Sequence, residues 1–324
     1  MPNSTVSVVI PTINRPAALL RALDSVSKQT HPPLEIIVVI DGPDEKTLRA
    51  LARRHESIRT LQLNARRGAS VARNFGVKNA TGTWIAFLDD DDEWLPNKLE
   101  RQVEAALRSS LKYPIVFSRV IVNTPKGKFV MPRRNPDPRE RVDEYLYCRK
   151  SLRPGEVFLQ TSNVLVAREL LTHVEFRAGL RKWNDIDWFL RAGQVAGAGL
   201  EFLPEPLSIW NTEDYSRPTI SGKYDWEYLF DWATNNRELF SRRGYSGVLL
   251  VSIMHEAVRQ RDRGAIRILL QEALRAGKPD AIQATLFLIG AVALSVARTS
   301  AYDCLKLRLR ERVRGKADTF LPVS

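Results

Sequence analysis

Residues 84–94 read Trp-Ile-Ala-Phe-Leu-Asp-Asp-Asp-Asp-Glu-Trp, an apolar strand that runs directly into four aspartates. Like charges this close repel, so the run is costly unless water or a cation screens it. Hard ions such as Mg²⁺ are bound through one or two carboxylates together with substrate phosphates, which an Asp-x-Asp at a strand end can offer. A solvated acidic turn carries the same letters, so the surroundings decide its meaning.

Working outward, Ser7–Ile10 and Glu35–Ile40 are β-branched apolar runs of the kind buried on both faces of a parallel sheet. Between them, Pro16–Lys28 sets Leu19, Leu20, Leu23 and Val26 at helical spacing, giving one βαβ unit. A helix over Asp44–His55 follows, then a strand at Ile58–Leu63 and a helix at Ser70–Ala80 bounded by Gly68 and Thr81-Gly82. Trp84–Leu88 is the next strand, and Pro96 opens a helix through Leu107. This alternation predicts a doubly wound α/β sheet, whose ligands sit outside the carboxyl ends of the strands. The aspartate run occupies such an end, as does Asp41 after Val38-Val39-Ile40.

Further along, Pro125–Arg141, with its prolines and basic residues, reads as a long loop rather than a strand pair. Leu159–Val166 reads as a returning strand and Trp183–Ala192 as a helix carrying aromatic and acidic side chains. From Lys223 the pattern is helical only, with Asp225–Phe240, Gly247–Arg261, Ala265–Ala276 and the apolar Ala281–Ala297. A tail with Lys306, Arg308, Arg310, Arg312, Arg314 and Lys316 follows. The expected division is a first domain of residues 1–222 and a helical accessory region of residues 223–324.

The 324 residues are 44% hydrophobic and 27% charged, as in globular proteins. Cys148 and Cys304 make neither a disulfide framework nor a CxxC site, so a reducing, cytoplasmic setting is expected. The first residues carry no basic n-region, and Val6–Ile10 is too short for a signal segment. A net charge of +12 suits nucleic acid, anionic lipid or phosphorylated ligands. No helix-turn-helix or RNP motif is present, so nucleic acid is not an expected partner. His31, His55, His173 and His255 form no metal-spaced cluster, and GxGxxG, GxxxxGK[ST] and GxSxG are all missing.

Five segments taken in order resemble the motifs of family 2 glycosyltransferases with the GT-A fold. They are Val6-Ser-Val-Val-Ile-Pro-Thr-Ile-Asn-Arg-Pro, Val38-Val-Ile-Asp-Gly, Gly68-Ala-Ser-Val-Ala-Arg-Asn-Phe-Gly, Leu88-Asp-Asp-Asp-Asp-Glu-Trp and Asn184-Asp-Ile-Asp-Trp-Phe-Leu-Arg. The aspartate run with its Trp and the Ala-Arg-Asn-x-Gly segment are the specific ones; order and spacing carry the rest. The resemblance implies a Rossmann-like GT-A sheet with helices on both faces, followed by a C-terminal all-helical region. It implies inverting transfer of a sugar from a nucleoside diphosphate donor to an acceptor hydroxyl.

The same resemblance implies roles for individual residues. Asp41 contacts uracil, and Pro11 and Thr12 shape the base pocket. Arg73 meets phosphate or the acidic cluster, and Asp89 and Asp90 contact the nucleotide. Asp91, with Asp89, meets a divalent metal, Mn²⁺ or Mg²⁺, and Asp92 is an extra carboxylate nearby. Asp185 aligns with the base that takes the acceptor proton. Asp187, two residues on, points differently on a helix, and the Asn184 departure, which bears on the register, keeps it as runner-up. Asn184 departs from the Glu more usual in the family. Trp183 and Trp188 either stack on a sugar or pack in the core, and Arg217 is a candidate to close over the diphosphate. The Gln-x-x-Arg-Trp motif of processive relatives is missing, which favours single additions.

UDP is the expected nucleotide, with GDP and dTDP left open. The expected partners are a nucleotide-sugar donor and a glycan or lipid-linked acceptor, in cell-surface polysaccharide or glycolipid assembly. Ala281–Ala297 is shorter than the ~20 apolar residues of a spanning helix and is interrupted by Gln283, Thr285 and Ser295. It is either a bundle helix or, with the basic tail, a peripheral membrane contact over residues 281–316 at the inner face. The rival reading is a non-catalytic nucleotide-sugar-binding protein that keeps the fold.

Overall fold

The structure, a computed structural model, describes residues 4–54, 58–137, 139–212 and 225–296. Arg217, Cys304 and the basic tail lie outside the described residues, as does His55 at the end of the expected second helix. The chain divides into two compact units. One comprises Met1–Tyr145 and Gly155–Ile220; the other comprises Leu146–Pro154 and Ser221–Ser324.

The first unit is built on nine strands. They are β1 (Val6–Thr12), β2 (Glu35–Ile40), β3 (Ile58–Gln62), β4 (Trp84–Phe87), β5 (Glu93–Trp94), β6 (Tyr113–Thr124), β7 (Gly127–Met131), β8 (Val164–Ala167) and β9 (Ala198–Asn211). Their order is β3-β2-β1-β4-β8-β6-β9-β5, with β7 paired outside this path to β6. The β3-β2-β1-β4 half is parallel, as βαβ crossovers require. Beyond β4 the sheet becomes mixed: β8 is antiparallel to β4 and β6, and β9 runs parallel to β6.

The crossovers are α1 (Pro16–Ser27), α2 (Glu45–Leu51) and α3 (Ala69–Asn79). Then come α4 (Lys98–Arg108), α5 (Val142–Tyr147), α6 (Arg168–His173) and α7 (Asn184–Ala192). Alternation along β1 sends Val6, Val8 and Ile10 to one face, where they pack with Leu19, Leu23 and Val26 of α1 and Leu99 and Val103 of α4. Val9 faces α3 on the other side. There a Cβ on Gly76 would lie 2.4 Å from Val9 Cγ1, so only glycine admits the helix this close. Helices thus cover both faces of a mixed α/β sheet.

Pro125–Arg141 is not the loop that its composition predicts. Gly127–Met131 forms β7 and pairs antiparallel with Val120–Thr124. The reversal is a short turn that ends in Gly127 at φ 127°, a conformation that side chains resist. Pro125 sits in the turn itself, and the other prolines and most of the basic residues fall after the hairpin.

The second unit is helical. Its helices are α8 (Trp226–Asn235), α9 (Arg242–Gly247), α10 (Met254–Gln260), α11 (Gly264–Ala276) and α12 (Ala281–Val296), with a π-helical turn at Val248–Ile253 leading into α10. Asp225 caps α8 by accepting from the Tyr228 N–H. Among the described residues, no helix is long and apolar enough to cross a membrane.

Candidate active site

The parallel order β2-β1-β4 brings three strand ends together, those carrying Asp41, Thr12 and Asp89. The Asp41 N–H donates to the Thr12 carbonyl at 2.9 Å, and the Leu88 N–H to the Val9 carbonyl at 3.1 Å, which locks the edge. Both Asp41 carboxylate oxygens accept backbone N–H groups, from Arg67 at 2.7 Å and Gly68 at 2.9 Å. Asp41 therefore fixes the turn that launches α3. Pro11 lies in β1 opposite Val39 of β2.

Each aspartate of the run has a different environment. Asp89 pairs with Arg73 of α3 at 2.5 Å, and its backbone N–H donates to the Ser162 hydroxyl at 3.1 Å. Asp90 is buried, accepting from the Thr12 hydroxyl at 2.7 Å and from Arg15 at 3.1 Å. Asp91 is more exposed and takes a second contact from the same Arg15 nitrogen, at 2.7 Å. Asp92 is buried with one oxygen on the Gln160 amide at 2.8 Å and the other without a partner.

The electrostatics follow from this geometry. Burial pushes Asp90 up to about 7, helped by Asp91 and Asp89 and opposed by Thr12 and Arg15. Asp91 is raised by burial and by Asp89. Asp92 is raised well above the usual carboxylate value by burial and by Asp89 and Asp91. Ionising all four would leave two negative charges that the two guanidiniums do not meet. At an effective dielectric of ~20, two unit charges 4 Å apart interact by about 4 kcal/mol, so without a further cation the buried carboxyls are held toward their neutral forms.

Among the described residues, no group of three or more His, Cys, Asp or Glu is arranged to hold a metal on its own. The oxygens of Asp89 and Asp91 are hard donors at an edge. They fit a Mg²⁺- or Mn²⁺-type ion shared with a diphosphate, and not a protein-only cage.

The second acidic pair separates into two environments. Asp185 is half-buried in the first turn of α7, its Oδ1 accepting from the Ile186 N–H at 2.9 Å. Burial raises its carboxyl, Arg73 opposes the shift and Asp89 adds to it, so the three groups share one field. Asp187 is fully buried between Arg177, at 3.0 Å, and Arg191, at 2.7 Å. Trp188 is core: it stacks on Phe176 at 5.2 Å and donates its ring N–H to the Val174 carbonyl at 2.7 Å. Trp183 precedes α7 in the left-handed region at φ 58°, a strained entry next to Asp185. The buried Oδ1 of Asn184 has no partner.

Sequence reasoning passed over Arg15, Ser162, Gln160 and Asn211. Arg15 sits in the turn after β1, in the quoted Asn-Arg-Pro, where a cation at a strand end is a readable signal. Ser162 and Gln160 come from a short 3₁₀ turn whose capping places them under the acids. Asn211, at the end of β9, donates to the Asp91 carbonyl and to Glu93 at 3.1 and 3.0 Å. No local pattern marks Ser162, Gln160 or Asn211.

With this geometry in place, the profile of Glycosyl transferase family 2 matches residues 7–174, more than half of the chain. The chain belongs to that family. Among its relatives is UDP-Glc:alpha-D-GlcNAc-diphosphoundecaprenol beta-1,3-glucosyltransferase WfgD of Escherichia coli, 34% identical over 41% of this chain and 54% of the relative. The amylovoran biosynthesis glycosyltransferase AmsB of Erwinia amylovora is 28% identical over 65% of this chain and 71% of its own length. The chain thus spans about half the length of the first of these family 2 relatives. Residues 1–349 of S. aureus TarS share the fold, with a TM-score of 0.51 at 16% identity over 91% of each chain. The same protein in complex with UDP-GlcNAc aligns with a TM-score of 0.50 at 17% identity, over 93% of this chain and 83% of that one.

Proposed function

We propose that this family 2 chain is an inverting glycosyltransferase. It moves a sugar from a nucleoside diphosphate, UDP, to a hydroxyl of a glycan or lipid-linked acceptor in cell-surface polysaccharide or glycolipid assembly. The observation that carries the reading is the meeting of Asp89–Asp92 with Arg15 and Arg73 at the strand ends, with Asp185 of α7 in the field of Arg73 and Asp89. The WfgD name, with its UDP-glucose donor and diphosphoundecaprenol-linked acceptor, supports the substrate class.

In this reading, Thr12, Pro11 and Asp41 form the nucleotide side, and Asp89 and Asp90 orient the donor. A divalent cation held by Asp91 with Asp89 would supply positive charge to the leaving diphosphate. Arg73, held on Asp89, adds fixed positive charge at the same place. Asp185 takes the acceptor proton, and its raised pKa brings it nearer the pH at which a base works. Asp187, paired with two arginines, holds α7 so that Asp185 stays aimed.

We assign the protein to the cytoplasmic face of a membrane. The support is α12, which has no charged residue and exposes Leu288 (61%), Ile289 (49%) and Val292 (56%). Such a face suits the interfacial layer of a bilayer.

The test is calorimetric titration of UDP, GDP and dTDP with Mn²⁺ and with chelator, on the parent and on Asp91→Ala. UDP should bind the parent only with metal, and D91A should lose that dependence. Metal-dependent binding retained in D91A would take the metal role from Asp91. A parent that binds no nucleotide would favour the non-catalytic reading or another ligand class.

A further inference from the structure

Arg15 is placed by a rigid turn. Asn14 sits at φ 55°, its N–H donating to the Asp44 carboxylate at 2.6 Å, and Asp44 in turn caps α2. One guanidinium nitrogen of Arg15, Nη1, then serves two carboxylates, at 3.1 Å to buried Asp90 and 2.7 Å to Asp91. The partners differ in access: the Asp90 side chain is 8% exposed and that of Asp91 47%, with Arg15 at 37%. Asp90 also keeps Thr12 as a donor, so it is the fixed anchor and Asp91 the releasable partner. Among the described residues, Nε and Nη2 of Arg15 have no acceptor, so two sets of donors face solvent beside the acidic edge.

On the reading above, Asp91 is where a cation would bind, and its Oδ2 is already taken by a guanidinium. Two positive groups do not share one carboxylate oxygen without repulsion, and a diphosphate beside them attracts whichever is displaced. We propose that Arg15 is a positioning residue that stands in for the cation at Asp91 and passes to the donor's diphosphate, pivoting on Asp90, when donor and cation bind. This deepens the proposed function and rests on it. The exchange leaves Asp91 neutralised throughout, first by guanidinium and then by the ion, so the aspartate run never loses its counter-charge. A guanidinium suits the handover because its planar fork can keep one nitrogen on Asp90 while others meet phosphate oxygens.

The test separates metal from nucleotide. Mn²⁺ alone is titrated into the parent and Arg15→Gln, followed by electron paramagnetic resonance of the free ion. UDP is then titrated at saturating Mn²⁺. Arg15→Gln should bind Mn²⁺ alone about tenfold tighter, because its competitor is gone, and UDP with Mn²⁺ about tenfold weaker. Loss of a purely structural residue would weaken both. Mn²⁺ binding unchanged or weaker in the variant overturns the stand-in role, and unchanged UDP affinity overturns the handover. Should Arg15→Gln not fold, Arg15→Lys carries the same test, with smaller changes of the same signs. A parent that binds Mn²⁺ but no nucleoside diphosphate removes the proposed function and the handover together, while the Mn²⁺ arm still reads the competition at Asp91.

Discussion

Two carboxylates two residues apart illustrate how environment assigns roles. Asp185 keeps partial exposure and shares a field with Arg73 and Asp89, whereas Asp187 is spent on Arg177 and Arg191 inside the protein. Asp187→Ala should lower unfolding stability by about 1–3 kcal/mol, because the mostly buried Arg191 loses its carboxylate while the more exposed Arg177 turns to water. Asp185→Asn should melt no lower than the parent, keep donor binding and lose transfer. Transfer retained in D185N would move the proton acceptor elsewhere. Lys98 is a second case at this scale. It is fully buried with its ammonium 4.1 Å over the Trp94 ring and donating to Gln102 at 2.7 Å, and desolvation holds it well below its ordinary 10.5. Between the folded and unfolded values the unfolded chain binds the extra proton, so stability from this group rises with pH across that window. Lys98→Met should gain stability relative to the parent as pH falls from about 10, on top of a pH-independent cost for the buried Gln102 oxygen it leaves unpaired, in urea titrations. A gain independent of pH would show that packing, not the buried charge, is responsible.

At the scale of elements, the parallel half of the sheet follows local pattern and the mixed half does not. Glu35–Ile40 reads as the strand it is, and Pro16–Ser27 as the helix that crosses over it. Tyr113–Thr124 is equally β-branched, yet beyond the short turn to β7 its partners come from far along the chain and in both directions: Phe117 meets Val164 of β8 and Tyr113 meets Ala198 of β9. Nothing within a window of the sequence specifies such pairings, and the basic, proline-rich stretch beside the strand masks the hairpin. Close helix–sheet contact is likewise invisible locally. Gly76→Ala should cost about 1–3 kcal/mol in urea unfolding, since its Cβ meets the buried Val9 side chain. The same shift moves α3, which carries Arg73, so UDP affinity should fall as well. An alanine tolerated without loss would mean that α3 is free to withdraw from β1.

For the whole molecule, the helical unit and its exposed apolar residues set a distinct expectation. The parent should co-sediment with phosphatidylglycerol vesicles and release in high salt, as a basic protein with an apolar helix face does. Leu288→Glu with Ile289→Glu should reduce that partition about tenfold while UDP affinity stays unchanged. Equal partition of parent and variant would leave α12 as a bundle helix only. By itself the sequence determined the alternation of the first four strands, the acid run at a strand end and the change to helices after Lys223. Those features are written in local periodicity, which needs no knowledge of distant residues. Only the tertiary structure decided that Arg15 and Arg73 divide the aspartates between them, that Ser162 and Gln160 lie beneath the acids, and that Asp187 is buried against Arg177 and Arg191. Each of these depends on which remote side chains meet and how much water they keep, and a carboxylate's charge, partner and role follow from that meeting.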